Sequence, residues 1–158
     1  MQKLRTAMKL VIQKVKEARV EVEEKIVGQI DHGFMILVGI EDGDTEADII
    51  KAADKVSKLR IFEDEEGKMN RDIHDVSGSI LSISQFTLSA NMRKGNRPSF
   101  ISAMNAQEAD VLYNLFNESL RSRDIRVETG IFQTHMNVIL NNDGPVSVIM
   151  LLKDGKVL

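Results

Sequence analysis

Asn141-Asn142-Asp143-Gly144-Pro145-Val146-Ser147 joins two apolar runs, Met136–Leu140 and Val146–Leu152, both of which read as strands. A plain hairpin would need only Asn-Gly or Asp-Gly at this point. Here the glycine is followed by one of only two prolines in the chain. Proline donates no backbone hydrogen bond and restricts the residue before it. The Gly-Pro step is therefore a rigid corner between two strands. On these residues alone it is either a turn and nothing more, or a backbone feature with a task; the rest of the chain has to decide.

The 158 residues amount to one domain, long enough to bury most of its apolar surface in a single core. A chain that is 42% hydrophobic and 28% charged has the balance of a water-soluble globular protein. No apolar run approaches the roughly 18 residues of a membrane helix, and Lys3 and Arg5 are not followed by the apolar stretch of a signal peptide. Cysteine is absent, which removes disulfides, thiolate catalysis and sulfur-ligated metal together. A cytoplasmic protein is expected, without a membrane partner. The net charge of −3 argues against a general polyanion binder, so nucleic acid would have to be met by a local patch.

Lys9–Val15 alternates apolar and polar residues as a strand does, and Ala18–Val22 and Lys25–Ile30 follow with Glu23-Glu24 as the turn. Phe34–Ile40 is continuously apolar, as in a strand buried on both faces. Asp44 or Thr45 caps a helix over Thr45–Leu59, where Ile49, Ile50, Ala53, Val56 and Leu59 recur at helical spacing. Ile80–Leu88 is a further strand, Ser89–Pro98 a polar loop, and Gln107–Arg121 a second amphipathic helix. Arg126–Gly130 and the two runs around the Gly-Pro corner close the chain. The reading is α+β: a single domain of largely antiparallel strands in a barrel-like sheet system, covered by two main helices.

Candidate chemistry is sparse. His32, His74 and His135 lie far apart, without metal-ligand spacing, and no nucleophile elbow or phosphate-binding glycine loop occurs. No metal or cofactor is implied. Ser84-Gln85-Phe86-Thr87, at a strand end, brings two hydroxyls, an amide and a ring together, but no positioned base accompanies them. Either the hydroxyls bond to nearby backbone while Phe86 fills core, or backbone N–H groups there form an oxyanion hole. Close behind, Arg93, Lys94 and Arg97 put three cations in five residues, either as a solvated loop or as a local phosphate contact.

Several blocks in the same order resemble one family, the D-aminoacyl-tRNA deacylases: VIQKV near the start, LRIFEDEEGKMN at Leu59–Asn70, SQFTL at Ser84–Leu88, RKGNRPSF at Arg93–Phe100 and NDGPV at Asn142–Val146. The likeness runs from Met8 to the end, leaving Met1–Ala7 as a disordered N-terminal extension to a deacylase domain at Met8–Leu158. It implies a cytoplasmic homodimer, without a cofactor, that hydrolyses the ester of tRNA charged with a D-amino acid or with glycine. It implies a cis Gly144–Pro145 bond whose loop enters the partner's site and faces Ser84, Gln85, Phe86 and Thr87. Rejection of the L substrate by that loop, and assistance from the tRNA's own terminal 2′-hydroxyl, follow from the same resemblance, as does tRNA contact by Arg93, Lys94 and Arg97. Lys14, Asn142 and Ser147 would support the Gly-Pro loop. The chain departs from the family's pattern at Lys14, where arginine is usual, at Ser147, where threonine is usual, and at Phe132-Gln133-Thr134-His135-Met136, where Phe-Gly-Ala-x-Met is usual. The last departure is expected at the rim of the pocket.

Overall fold

The computed structural model describes residues 7–158. Of the expected extension, all but Ala7 falls outside the described residues, and Ala7 is buried. Three strands open the chain: β1 (Met8–Val22), β2 (Lys25–Ile30) and β3 (Gly33–Gly39). Glu23 and Glu24 both take positive φ, 50° and 66°, which is the two-residue hairpin geometry that matches strand twist. α1 (Glu46–Lys58) follows, capped by Thr45, whose backbone N–H donates to the Asp48 carboxylate at 3.0 Å. Then come a small ribbon of β4 (Phe62–Glu63) with β5 (Met69–Arg71), and β6 (Ser79–Ser84). α2 (Ala106–Arg121), β7 (Arg126–Thr129), β8 (Asn137–Lys153) and β9 (Lys156–Val157) complete it. Asn105 caps α2 by accepting from the N–H groups of Gln107 and Glu108.

The main sheet runs β7-β6-β3-β1-β8-β9, with β2 paired to the far half of β1. The expected α+β architecture, two helices over one curled sheet, is what the chain forms. Its pairing is mixed rather than largely antiparallel: β3–β6 and β6–β7 are parallel. Each parallel step is bridged by a helix, α1 between β3 and β6 and α2 between β6 and β7, because parallel neighbours need a long crossover. The strand expected to run to Leu88 stops at Ser84, and Phe86–Ser89 form a short 3-10 helix instead.

Apolar side chains fall into two clusters, one on each face. Under the helices, Met8, Leu10, Ile12, Phe34, Ile36 and Ile80 meet Ile49, Val56, Phe116 and Leu120. On the other face Val15, Ala18, Val20, Ile30, Met35, Leu81 and Ile83 pack inside the curl. Each of the larger side chains, fully buried, is worth about 1.5–3 kcal/mol. β1 serves both clusters because its inward face changes between Ile12 and Ala18, where its pairing with β8 slips twice.

Asn141–Ser147 is not a turn between two strands. β8 runs through it as one strand, and its pairing with β1 resumes on the other side. Two steps on β1, Gln13 to Val15, are matched by five on β8, Ser147 to Asn142. The surplus residues are pushed out of the ladder as a large bulge. Gly144 and Pro145 are at its tip.

Candidate active site

The first wall of the site is made where β6 ends. The Gln85 N–H donates to the Val38 carbonyl at 2.8 Å, and the chain then tightens, with Ala90 N–H bonded to the Thr87 carbonyl at 3.1 Å. This tight turn sits directly on Gly39. A Cβ there would lie 2.8 Å from Leu88 Cβ and 3.4 Å from the Gln85 carbonyl oxygen, so the close approach requires glycine. Phe86 and Thr87 start the turn, where backbone N–H groups have no partner within the helix. The Gln85 carboxamide donates to the Thr87 hydroxyl. Phe86 is 60% exposed and braced edge-on by Phe100, with ring centres 5.1 Å apart.

The second wall is the loop between β7 and β8. Phe132 stacks on Tyr113 of α2 at 6.4 Å, and the Tyr113 hydroxyl donates to the Ser82 carbonyl of β6 at 2.7 Å. Burial pushes that hydroxyl's pKa above its ordinary value. The loop is thus tied to the strand that bears Ser84. Gln133 takes φ +61°, and Thr134 bonds back to the Ile131 carbonyl through its N–H at 3.3 Å and its hydroxyl at 2.8 Å. Between the walls lies a cavity of about 350 Å³ lined by Ser84, Gln85, Phe86, Gln133, Thr134 and Met136. The altered Phe132–Met136 block therefore does stand at the pocket. None of the six lining side chains is a general base at neutral pH.

The Gly-Pro bulge is braced from three sides. The Asn142 side chain accepts from the Val146 N–H at 3.0 Å and donates to the Ser147 hydroxyl at 3.1 Å. Gln13 donates to the same hydroxyl at 3.3 Å. The Lys14 ammonium lies 3.7 Å from the Asp143 carboxylate and 5.8 Å from the centre of the Phe62 ring. Lys14, Asn142 and Ser147 thus all touch the bulge or its neighbours. Asp143 and Gln13 belong to the same brace, and nothing in the sequence singled them out. The Gly144–Pro145 bond is cis, and Gly144 has φ +132°, a conformation that suits only glycine.

The bulge and the pocket of one chain do not meet. Gly144 lies level with Lys14, Phe34 and Ile80, four residues short of Ser84 along the strands. With β3 and β1 between them, the separation is roughly 20 Å over the sheet. Gly144 and Pro145 are both exposed.

Arg93, Lys94 and Arg97 are exposed on a loop closed by mutual backbone bonds between Asn91 and Ser99, at 2.8 and 3.0 Å. The loop leaves the 3-10 turn at Ala90, so three cations stand beside the pocket without lining it. Among the described residues no three His, Asp or Glu side chains converge as a metal site would require. His74 and His32 are bound to the carbonyls of Arg123 and Val76 at 2.7 and 2.6 Å, and His135 is absent from the pocket lining. Among the described residues no helix is long and apolar enough to cross a membrane.

The architecture is that of a solved structure described as a probable eukaryotic D-amino acid tRNA deacylase. The TM-score is 0.81 over 93% of this chain and 100% of that one, and at 16% identity this establishes the fold class. Sequence goes further. Residues 11–151 match the family model described as D-Tyr-tRNA(Tyr) deacylase. D-aminoacyl-tRNA deacylase of Brevibacillus brevis is 53% identical over 143 residues, covering 90% of this chain and 99% of that protein. The enzyme of the same description from Staphylococcus haemolyticus is 52% identical over 151 residues, covering 96% and 100%. The chain belongs to the D-Tyr-tRNA(Tyr) deacylase family and is a hydrolase. A structure described as c-Myc DNA Unwinding Element Binding Protein is also similar, with TM-score 0.83 and 38% identity over 89% of this chain and 96% of that one.

Proposed function

We propose that this deacylase works as a cytoplasmic homodimer that clears D-amino acids, and glycine, from tRNA, with each subunit's Gly144–Pro145 bulge entering the other's pocket. The observation that carries the reading is the distance between the two parts. A rigid, exposed bulge braced by Lys14, Asn142 and Ser147 has no target in its own chain, being roughly 20 Å from Ser84. A second copy supplies the target. Facing Ser84–Thr87, the bulge occupies the space an L side chain must enter, while a D side chain points away and glycine has nothing to exclude. Selection acts by rejecting the wrong substrate rather than by gripping the right one.

The pocket has hydroxyls and backbone donors but no base, so the chemistry falls to positioning. The N–H groups at Phe86 and Thr87 receive the developing negative charge of the ester oxygen, which is the most effective place for fixed donors. The tRNA's terminal 2′-hydroxyl assists the attacking water, held in place by the pocket. Arg93, Lys94 and Arg97 take the phosphates of the acceptor end.

Incubation with D-Tyr-tRNA and L-Tyr-tRNA tests this directly: rapid hydrolysis of the D ester alone is expected, and equal rates or none would sink the chiral reading. Ser84→Ala and Thr87→Ala should keep substantial activity, whereas a tRNA ending in 2′-deoxyadenosine should be a poor substrate. Loss of turnover in a folded Thr87→Ala dimer would return a side-chain nucleophile.

A second reading is favoured by the likeness to the protein described as binding a DNA unwinding element. On that reading, which membership in a family of hydrolases speaks against, the chain is a non-catalytic dimer that holds nucleic acid through Arg93, Lys94 and Arg97. It predicts salt-dependent binding with the ester left intact.

A further inference from the structure

A second cavity, of about 490 Å³, lies at the far end of the 3-10 turn, lined by Lys9, Glu41, Ser89, Asn91, Met92 and Arg93 among others. The turn separates the two spaces: Ser84, Gln85 and Phe86 line the pocket, whereas Ser89 and Ala90 line this cavity. From Phe86 to Ser89 a 3-10 helix advances about 6 Å. Two buried polar groups here are unsatisfied. Glu41 is only 1% exposed; its Oε1 lies 3.5 Å from the Lys9 ammonium, and its Oε2 has no hydrogen-bond partner among the described residues. The buried Ser89 hydroxyl has none either. Buried polar atoms without partners are rare and costly, so a pair of them beside one cavity calls for a cause. The fold holds the carboxylate and the ammonium in place. The Glu41 N–H donates to the Asp44 carboxylate at 2.7 Å, and the Lys9 ammonium donates to the Leu88 carbonyl of the turn at 3.2 Å.

An acceptor and a donor 3.5 Å apart, Glu41 and Lys9, match one kind of nucleobase edge, an amine beside a bare ring nitrogen. Cytosine and adenine have that edge; uracil and guanine present the reverse, a carbonyl beside an N–H. A carboxylate is the usual acceptor for the N4 amine of cytosine. Met92, 54% exposed, offers the ring an apolar and polarizable face, and Arg93 puts a cation at the rim for a phosphate. In tRNA the nucleotide before the terminal adenosine is a cytidine. Resting on the deacylase reading, we propose that this cavity is a binding site for that penultimate cytosine, with Glu41 accepting from the N4 amine and Lys9 donating to N3. The turn then stands between two successive nucleotides, the ester on its Phe86 side and the cytosine on its Ser89 side.

The test uses full-length protein and D-Tyr-tRNA whose penultimate nucleotide is cytidine, uridine, or pyrimidin-2-one riboside, which is cytidine without its amine. For the wild type, kcat/KM should fall about tenfold on each altered substrate, with the change in KM rather than kcat. Glu41→Leu removes the acceptor and should treat all three substrates alike. Glu41→Gln accepts from the amine of cytidine or donates to the O4 of uridine, so it should accept these two alike and still discriminate against pyrimidin-2-one. A residue that merely supported the turn could not exchange one base preference for another in this way. Equal kcat/KM for the wild type on all three substrates would overturn the inference while leaving the deacylase reading intact. So would a Glu41→Gln variant that prefers cytidine to uridine as strongly as the wild type, which also decides the matter if Glu41→Leu does not fold. No hydrolysis of the ordinary D ester by the wild type would remove both.

Discussion

Lys14 and Asp143 face each other across β1 and β8, with 3.7 Å between ammonium and carboxylate, and the lysine side chain is only 10% exposed. The contact anchors the residue next to Gly144. Its other neighbour, the Phe62 ring at 5.8 Å, holds the lysine from the core side. Position 14 therefore links the packed interior to the tip of the bulge.

Replacing Lys14 should loosen selection more than folding. In Lys14→Met the stem still packs by Phe62, and Asp143, with its side chain 36% exposed, can be hydrated. Solvent screening limits the loss of stability to about 1 kcal/mol. The ratio of D to L hydrolysis should fall about fivefold, the same energy expressed at the bulge. Lys14→Arg retains the charge and adds a planar fork, and should restore the ratio. Paired rates on D- and L-Tyr-tRNA, with urea denaturation of each variant, separate the two effects.

Gly39→Ala should injure the site from beneath. The new carbon meets Leu88 Cβ at 2.8 Å and Leu88 Cδ1 at 3.1 Å, and overpacking of this kind costs about 1–3 kcal/mol. The turn at Phe86–Ser89 is the part that must give. The expected outcome is a kcat lowered well beyond what the drop in Tm would suggest. Leu88→Gly removes both clashing carbons and should recover part of the lost rate in the double variant. Unchanged kcat in Gly39→Ala would show that the turn's position is not critical.

Stability should depend on pH through Asp44. Burial is the largest cause pushing this carboxyl up to about 7, aided by the nearby Asp48 and opposed by its bond from the Glu41 N–H at 2.7 Å. Its pKa in the folded chain is thus above its value of 3.8 in the unfolded one. The folded state then holds the extra proton between those values, so stability falls as pH rises from about 4 to about 7 and levels off beyond. The range corresponds to up to about 4 kcal/mol. Asp44→Asn retains an acceptor for Glu41 and should flatten this part of the profile, gaining stability at pH 8. Urea midpoints for both proteins at pH 4.5, 6 and 8 provide the measurement.

What could be read beforehand depended on how local each signal was. The helices were visible because Ile49, Ala53 and Val56, and Leu112, Phe116 and Leu120, repeat at helical spacing. The continuous apolar run Phe34–Ile40 marked a doubly covered strand, but the direction of its neighbour is not written in it. The order strand, helix, strand, twice over, was the available sign of parallel pairing. The sequence leaves the bulge in β8 indistinguishable from a corner because Gly-Pro is a local turn signal, while the resumed pairing of Asn142 with Val15 is set from a distance. Asp143 and Gly39 matter only through partners far away in sequence, Lys14 and Leu88. The Phe132–Met136 block was singled out through resemblance; its residues carry no signal of their own.

The basic loop should reveal itself through salt. Arg93, Lys94 and Arg97 are exposed and outside the pocket lining, so on the proposed reading they should add affinity without touching the ester. Each phosphate neutralised on a single strand contributes about 0.7 to the slope of log affinity against log salt. Replacing all three with glutamine should reduce that slope by about 2 and raise KM at physiological salt. The same replacement should leave kcat at saturating D-Tyr-tRNA nearly unchanged and leave the fold intact, since none of the three is buried. A small adenosine ester carrying the same D-amino acid has no acceptor-stem phosphates, so its hydrolysis should be indifferent to the triple change. If the small ester loses rate as the tRNA does, the loop shapes the pocket rather than holding the acceptor end, and these cations have a different task.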